Sequence, residues 1–311
     1  MTAQAQARVI VVTGPTASGK SALALALAER RNGVVINADA MQTYDAFPIL
    51  TAQPSAVERA RAPHVLYGLL PLSETFSAPR WRTLAEVEIE RAHAEGLVPI
   101  LCGGSGLYLR TLMQGIAPIP DAPAELRQQA NVDWQTMGAD AFRARLAEKD
   151  PTIVGRLKPG DRQRHVRAWE VWRATGRPLS TWQAVEAKPA PWRFTSLLLA
   201  PERGWLRDRI ERRFDAMLAE GVLAEACAVF DGNPDPQWPG LKAHGAPELF
   251  RHFRGELSLA DARRIAIDHT RQYAKRQMTW FRHQMAPDLV LAPEADQSLI
   301  AAEKFLDNSG V

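Results

Sequence analysis

Eight consecutive residues restrict this chain more than any other feature. Gly14-Pro15-Thr16-Ala17-Ser18-Gly19-Lys20-Ser21 fits the spacing GxxxxGK(S/T), between a β-branched run, Arg8 to Val12, and a Leu/Ala-rich segment of helical composition, Ser21 to Arg31. Strand, glycine-rich turn and helix together let backbone N–H groups close around phosphate oxygens. The helix N-terminus adds its positive dipole end, and a lysine adds a point charge. All eight residues are therefore candidate ligands of a phosphate or pyrophosphate, with Ser21 a possible Mg²⁺ ligand. A chance glycine turn would not require these flanks. The loop does not say which phosphorylated compound it holds, and because most such loops hold ATP or GTP, a kinase is the default.

The pattern continues beyond the loop. Val34 to Ile36 ends at Asn37-Ala38-Asp39, and Leu97 to Leu101 ends at Cys102-Gly103-Gly104-Ser105 before a helical stretch from Leu107. Strands alternating with helices indicate an α/β chain built on a parallel sheet. Ligands gather at the carboxyl ends of such strands, which sets the Gly14 loop, Asp39 and Ser105 on one rim. The third strand ends without an acidic residue, so the magnesium-binding aspartate of many nucleotide-binding loops is missing there, which weakens the kinase reading. From Pro118 to Pro191 the composition turns helical, rich in Arg and Trp. The expected organisation is a P-loop α/β core, 1–117 and 192–311, interrupted by a helical subdomain, 118–191. Within the second part of the core, Phe194 to Leu199 reads as a strand, Glu202 to Phe230 as one long helix, Ser258 to His283 as another, and Leu289 to Leu291 as a last strand.

With 46% hydrophobic and 23% charged residues, the 311-residue chain has ample material for a core. Its formal charge is only +3, but an isoelectric point near 9.0 and clustered arginines suggest local basic surfaces. Two cysteines, Cys102 and Cys227, imply no disulfide framework and read as buried thiols in a reducing cytoplasm. The polar start resembles no secretory leader, and no segment is apolar enough to cross a bilayer. Arg156, Lys158, Arg162, Arg164 and Arg167 form one basic cluster. Arg264, Arg271, Lys275 and Arg282 recur at spacings of seven, four and seven, within roughly 40° of one another on a helix. Such a stripe serves a polyanion or is simply a solvated face. Trp169 and Trp172, three apart, suit a helical core. Asp39 reads equally well as a proton acceptor, a helix cap or an outer-sphere magnesium ligand.

Several segments together resemble the tRNA dimethylallyltransferases over nearly the whole chain. They are the loop itself, Ala38-Asp39-Ala40-Met41-Gln42-Thr43-Tyr44, Thr51-Ala52-Gln53-Pro54, Gly103-Gly104-Ser105-Gly106-Leu107-Tyr108, Asp161-Arg162-Gln163-Arg164 with Arg167-Ala168-Trp169-Glu170-Val171, and Thr175-Gly176-Arg177-Pro178. The most specific is Thr270-Arg271-Gln272-Tyr273-Ala274-Lys275-Arg276-Gln277-Met278-Thr279-Trp280-Phe281-Arg282. Departures are Ala40 for the family's Ser, Ser105 for Thr, Gln53 for Lys, and His244-Gly245-Ala246-Pro247-Glu248 for IGYKE.

The resemblance implies transfer of a dimethylallyl group from dimethylallyl pyrophosphate to the adenine immediately 3′ of the tRNA anticodon, with Mg²⁺ as cofactor. It implies Asp39 as the base, Thr16 and Ser105 as hydroxyls beside the reacting centre, and Arg213, with Arg209 as the fallback, on the leaving pyrophosphate. Contacts to the anticodon stem-loop are carried over onto Asp39 to Gln42, Ser105, Arg127, Gln163, Arg164, His165, Val166, Arg167, Lys242, Ala243, His244, Gly245, Ala246, Pro247, and Arg271 to Met278. A monomer without an obligate protein partner is expected. The competing readings are a P-loop small-molecule kinase and a non-catalytic, nucleotide-gated RNA-binding protein. The basic stripe yields a direct expectation: Arg271→Ala weakens tRNA binding most at low salt, and equal affinities across an ionic-strength series would remove this segment from the interface.

Overall fold

The structure, a computed structural model, describes residues 7–310; the leader-free reading of the chain start falls outside them. The chain begins with β1 (Arg8–Thr13), α1 (Lys20–Arg30) and β2 (Gly33–Asn37), followed by α2 (Ala56–Arg61), β3 (His64–Val65), α3 (Ala78–Ala94), β4 (Val98–Gly103) and α4 (Gly106–Met113). Then come α5 (Ala124–Met137), α6 (Ala139–Ala147), α7 (Pro151–Arg156), α8 (Arg162–Thr175) and α9 (Leu179–Gln183). The remainder comprises β5 (Arg193–Leu199), α10 (Arg203–Glu220), α11 (Val222–Asp231), α12 (Ala246–Phe253), α13 (Leu259–Gln284), β6 (Leu289–Leu291) and α14 (Ala295–Asn308). No helix among the described residues is long and apolar enough to cross a membrane.

Two compact units result. One runs up to Met113 and resumes at Ala190, and the other is Gln114–Pro189. Composition placed the second at 118–191. Its entering and leaving segments meet at Gly115 and Lys188, where a Cβ on Gly115 would fall 2.6 Å from the Lys188 carbonyl oxygen, so the unit closes a few residues earlier at both ends.

The first unit is built on a six-stranded, all-parallel sheet in the order β3-β2-β4-β1-β5-β6. β1 lies between β4 and β5, and Val9, Ile10, Val11 and Val12 are all completely buried. Their alternation divides them between two cores. Val9 and Val11 join Trp81, Ala85 and Ile89 of α3 and Leu109 and Leu112 of α4; Ile10 and Val12 join Leu23, Ala24 and Leu27 of α1 and Leu306 of α14. Each of these four residues contributes about 1.5–3 kcal/mol by burial.

The expected helix from Glu202 to Phe230 is two helices. Gly221 adopts φ 106, a left-handed conformation that terminates α10 and starts α11 in a new direction. Neither β3 nor α14 was expected; β3 is only two residues long, and α14 lies beyond the recognised pattern. Cys102 is buried, whereas Cys227 is only partly so; both thiols are free.

The second unit is helical around Phe142, Leu146, Ile153, Val154 and Trp169, with Trp172 half-buried against that core. Buried Asp150 caps α7 through Ile153 N–H (3.0 Å) and accepts Ser180 N–H (2.8 Å), tying α9 to α7.

β4 ends where β2 turns away. Ala38 N–H donates to the Cys102 carbonyl at 2.8 Å, and Ser105 N–H to the Ala38 carbonyl at 3.2 Å. A Cβ on Gly103 would lie 2.1 Å from the Ala38 carbonyl carbon and oxygen, with backbone rather than a flexible side chain as the obstacle. Gly103→Ala is expected to destabilise the protein by at least about 2 kcal/mol, read as a lower denaturant midpoint at unchanged slope.

Candidate active site

The rim at the carboxyl ends of β1, β2 and β4 carries the site. The Asn37 carboxamide builds the turn after β2: its Oδ1 accepts Asp39 N–H at 2.8 Å, and its Nδ2 donates to the carbonyls of Asp39 and Leu66, both at 3.0 Å. Trp81 Nε1–H in turn donates to the Asn37 carbonyl at 2.8 Å. The turn is closed by Asp39 Oδ1, which accepts Met41 N–H (3.1 Å), and by Ser105 Oγ, which accepts Ala40 N–H (2.9 Å). Because Ala40 participates through its backbone, the missing hydroxyl does not disturb the turn. Asp39 is left half-buried.

Beside it the loop runs from Gly14 to Ser21. Ala17 sits at φ 63, a left-handed conformation costly for a residue with a Cβ and typical of ligand-binding backbone. Lys20 is 8% exposed, and its Nζ donates to the Pro15 carbonyl at 3.4 Å. Burial pulls the Lys20 pKa down, the Asp39 carboxylate pushes it back, and Arg213 adds a smaller depression. For Arg213, desolvation likewise depresses the pKa and Asp39 opposes it. Its Nη1 reaches the Thr16 hydroxyl at 3.5 Å. Below them, burial pushes the Cys102 thiol up to about 11, so this cysteine is protonated and inert.

A cleft of about 650 Å³, partly open to solvent, unites Thr16, Ala17, Asp39 and Arg213 with an apolar wall of Met41, Leu50, Ile210, Phe214 and Met217. A broader mouth of about 1720 Å³ adjoins it, lined by Gly19, Lys20, Ser21, Arg209, Arg212 and Arg213 among others. Arg209 also lies over the Trp205 ring. This wall is not singled out in the sequence, although Leu206, Ile210, Phe214 and Met217 recur at helical spacing along α10 among its arginines. Nor is Asn37, which only its place just before Asp39 could mark. The cleft's far side is formed by His244 and Tyr273, with ring centroids 4.5 Å apart.

The residues assigned to RNA separate into two groups. Lys242, Pro247, Gln272, Lys275 and Arg276 in the first unit, and Gln163 and Arg164 in the second, are exposed. His165, Val166, Ala243, Gly245, Ala246 and Ala274 are buried, so it is only among the remaining assigned residues that side chains are presented to solvent. For His165, Val166 and Ala274 helical periodicity is the reason: a continuous segment of α8 or α13 necessarily includes inward-facing residues. Gln42 is also otherwise engaged, its Nε2 donating to the Thr51 and Ala52 carbonyls at 2.9 and 2.7 Å. Gln277 is buried, with Oε1 accepting Thr16 N–H at 2.8 Å and Nε2 donating to the Gly104 carbonyl at 3.0 Å. Tyr273 and Met278 are half-buried.

Charges within the basic groups are partly matched. Arg271 pairs with Glu211 (3.0 Å) and Asp268 (3.1 Å), and Arg264 with Asp261 (3.2 Å); Lys275 and Arg282 enter no ion pair among the described residues. In the second unit, Arg167 lies near Glu170 (3.4 Å) and Asp121 (3.9 Å), and half-buried Arg127 has an unpartnered Nε.

Comparison with known proteins bears on this arrangement. The profile of a family described as IPP transferase matches residues 42–284. The tRNA dimethylallyltransferase of Rhodospirillum centenum is 51% identical over 280 residues, 89% of each chain. The solved tRNA isopentenylpyrophosphate transferase of Bacillus halodurans superposes with a TM-score of 0.70 at 30% identity, covering 97% of this chain and 96% of its own. A eukaryotic dimethylallyltransferase acting on tRNA gives a TM-score of 0.83 at 26% identity, covering 98% of this chain and 79% of its own.

Burial lowers the His244 pKa from its ordinary 6.5, with Arg276 adding to the effect and Glu248 and Asp39 opposing it. The unfolded chain therefore takes up this proton first as pH falls, and stability present above the unfolded value is lost toward the lower folded one. Burial depresses His64 in the same sense. Melting temperatures measured between about pH 7.5 and about pH 5.5 should fall less steeply in His244→Gln than in the parent, and less steeply still when His64→Gln is added.

Proposed function

This chain belongs to the IPP transferase family, and we infer from that membership and the cleft that it transfers a dimethylallyl group to tRNA. The donor is dimethylallyl pyrophosphate, the acceptor is the exocyclic amine of the adenine immediately 3′ of the anticodon, and pyrophosphate is released. The observation that carries this reading is the union, in one cleft, of a phosphate loop, a carboxylate, an arginine and an apolar wall.

The chemistry follows from those parts. An adenine amine is a weak nucleophile because its lone pair is delocalised into the ring, and a carboxylate that accepts its proton during attack favours the reaction. As nitrogen bonds to the allylic carbon, the carbon–oxygen bond breaks, its electron pair leaves with pyrophosphate, and the proton passes to Asp39. Negative charge growing on the leaving group meets the loop N–H groups, Lys20 and Arg213. Met41, Leu50, Ile210, Phe214 and Met217 accommodate the five-carbon chain and keep water from it. The Thr16 hydroxyl lies beside Arg213, and that of Ser105 keeps the Asp39 turn in place while remaining free to donate.

Mg²⁺ fits as a partner of the pyrophosphate rather than of a protein cage. Ser21, an exposed residue at the start of α1, would supply a hard hydroxyl oxygen, and no group of three or more His, Cys, Asp or Glu side chains among the described residues could hold a metal unaided. When bound it would neutralise pyrophosphate charge. The adenine has to leave the loop stack to reach Asp39, which requires a grip on neighbouring phosphates. In the first unit, Lys242, Lys275 and Arg276 are exposed for that purpose; in the second, Arg164 is exposed and Arg127 and Arg167 are half-buried. Function as a monomer in a reducing cytoplasm accords with one cleft per chain and free thiols. A kinase would leave the apolar wall without an occupant, and a purely RNA-binding protein would leave Asp39 without a role.

The test is incubation with Mg²⁺, labelled dimethylallyl pyrophosphate and unmodified tRNA bearing that adenine, without ATP. Label is expected on the adenine; ATP-dependent phosphorylation of a small metabolite in its place would establish the kinase instead. Asp39→Ala should keep its tRNA affinity while kcat falls by at least about 100-fold, and undiminished turnover would remove Asp39 as the base.

A further inference from the structure

Gln277 lies one turn beyond the cleft-lining Tyr273 on α13, 5% exposed, and touches two loops that arise from different strands. Its Oε1 accepts the N–H of Thr16 in the phosphate loop after β1, and its Nε2 donates to the carbonyl of Gly104 in the turn after β4. The approach is close enough to dictate its neighbour: a Cβ on Gly104 would lie 2.2 Å from Gln277 Nε2. Nearby on the helix, Trp280 packs on Gly106, where a Cβ would meet the ring at 2.3 Å. α13 thus presses along the β4–α4 turn and holds the loop through a single amide.

Thr16 is also reached from another side. Arg213 on α10 extends to its hydroxyl at 3.5 Å, and α10 is joined to α13 by Arg263–Asp215 (2.6 Å) and Arg271–Glu211 (3.0 Å). Two helices that are fastened together therefore fix one loop residue, α13 through its backbone and α10 through its side chain. A loop N–H capped by a neutral amide is not available to pyrophosphate, so the cap determines which donors remain for the ligand and how wide the loop stands.

We propose that Gln277 is a positioning residue for the pyrophosphate loop and acts on donor binding rather than as a contact to RNA. The proposal rests on the prenyl-transfer reading of this cleft. The position requires an acceptor toward Thr16 and a donor toward Gly104 in one side chain. Glutamine meets both requirements; ionised glutamate offers an oxygen to the Gly104 carbonyl and is repelled, whereas protonated glutamate can again donate there. Asparagine has the right groups but is one methylene too short to span both.

The experiment measures Kd for inorganic pyrophosphate by calorimetry, KM for dimethylallyl pyrophosphate, and Kd for an anticodon stem-loop, in the parent, Gln277→Glu and Gln277→Asn. Pyrophosphate Kd and donor KM are expected to rise roughly tenfold or more in both variants, with stem-loop Kd changed by less than about twofold. In Gln277→Glu the ratio of variant to parent pyrophosphate Kd should fall again as the buried carboxyl is protonated at lower pH, a recovery that general loosening of the fold would not produce. Should Gln277→Glu fail to fold, Gln277→Asn alone carries the donor-against-RNA comparison. A selective rise in stem-loop Kd, or pyrophosphate binding unchanged in the folded variants, overturns the proposal. A parent that binds pyrophosphate but transfers no prenyl group would instead overturn the reading of the reaction, while leaving the loop measurement intact.

Discussion

The pairing of β1 with both β4 and β5 is the constraint on which the site depends. A strand flanked on both sides by parallel neighbours has its backbone groups satisfied and both faces covered, and Val9 to Val12 are accordingly removed completely from water. The Gly14–Ser21 loop hangs from the end of this doubly paired, buried strand. Thr13 extends the tie beyond the ladder, its hydroxyl donating to the Gly103 carbonyl at 2.9 Å, so that the ends of β1 and β4 form one platform. A loop with a left-handed alanine can persist there because its surroundings over-determine it.

On that platform the electrostatics reinforce one another. Lys20 and Arg213 are both disfavoured by burial, and both are supported by the carboxylate of Asp39. Two buried cations thus lie near one carboxylate, an arrangement with positive charge to spare for an anion. The apolar wall lowers the local dielectric and strengthens each of these interactions. One cleft therefore suits a ligand that is strongly anionic at one end and hydrocarbon at the other.

Much of this was legible beforehand because it depends on local chemistry. The strand–loop–helix signature, the turns at Asp39 and Ser105, and the strand at Leu289 all reflect short-range pattern, and the structure places them as expected. Where the structure departs from that reading or adds to it, local pattern competed with something distant or with a single dihedral. Gly221 lies within a sequence that is otherwise helical, and one left-handed residue divides it. His165 and Val166 fall within a basic run that resembles an RNA-binding segment, yet helical periodicity turns both inward.

The sequence by itself determined the family, the parallel α/β class and the strand–glycine turn–helix that opens the chain, because glycine spacing, strand composition and motif strings are properties of contiguous residues. Only the tertiary structure decided which side chains share the cleft. Asp39, Arg213 and Tyr273 belong to segments far apart in the chain, and the amide of Gln277 meets a partner 261 residues away. No periodicity encodes such a meeting; it arises from the order of strands in the sheet and from the close approach that Gly103 and Gly104 allow.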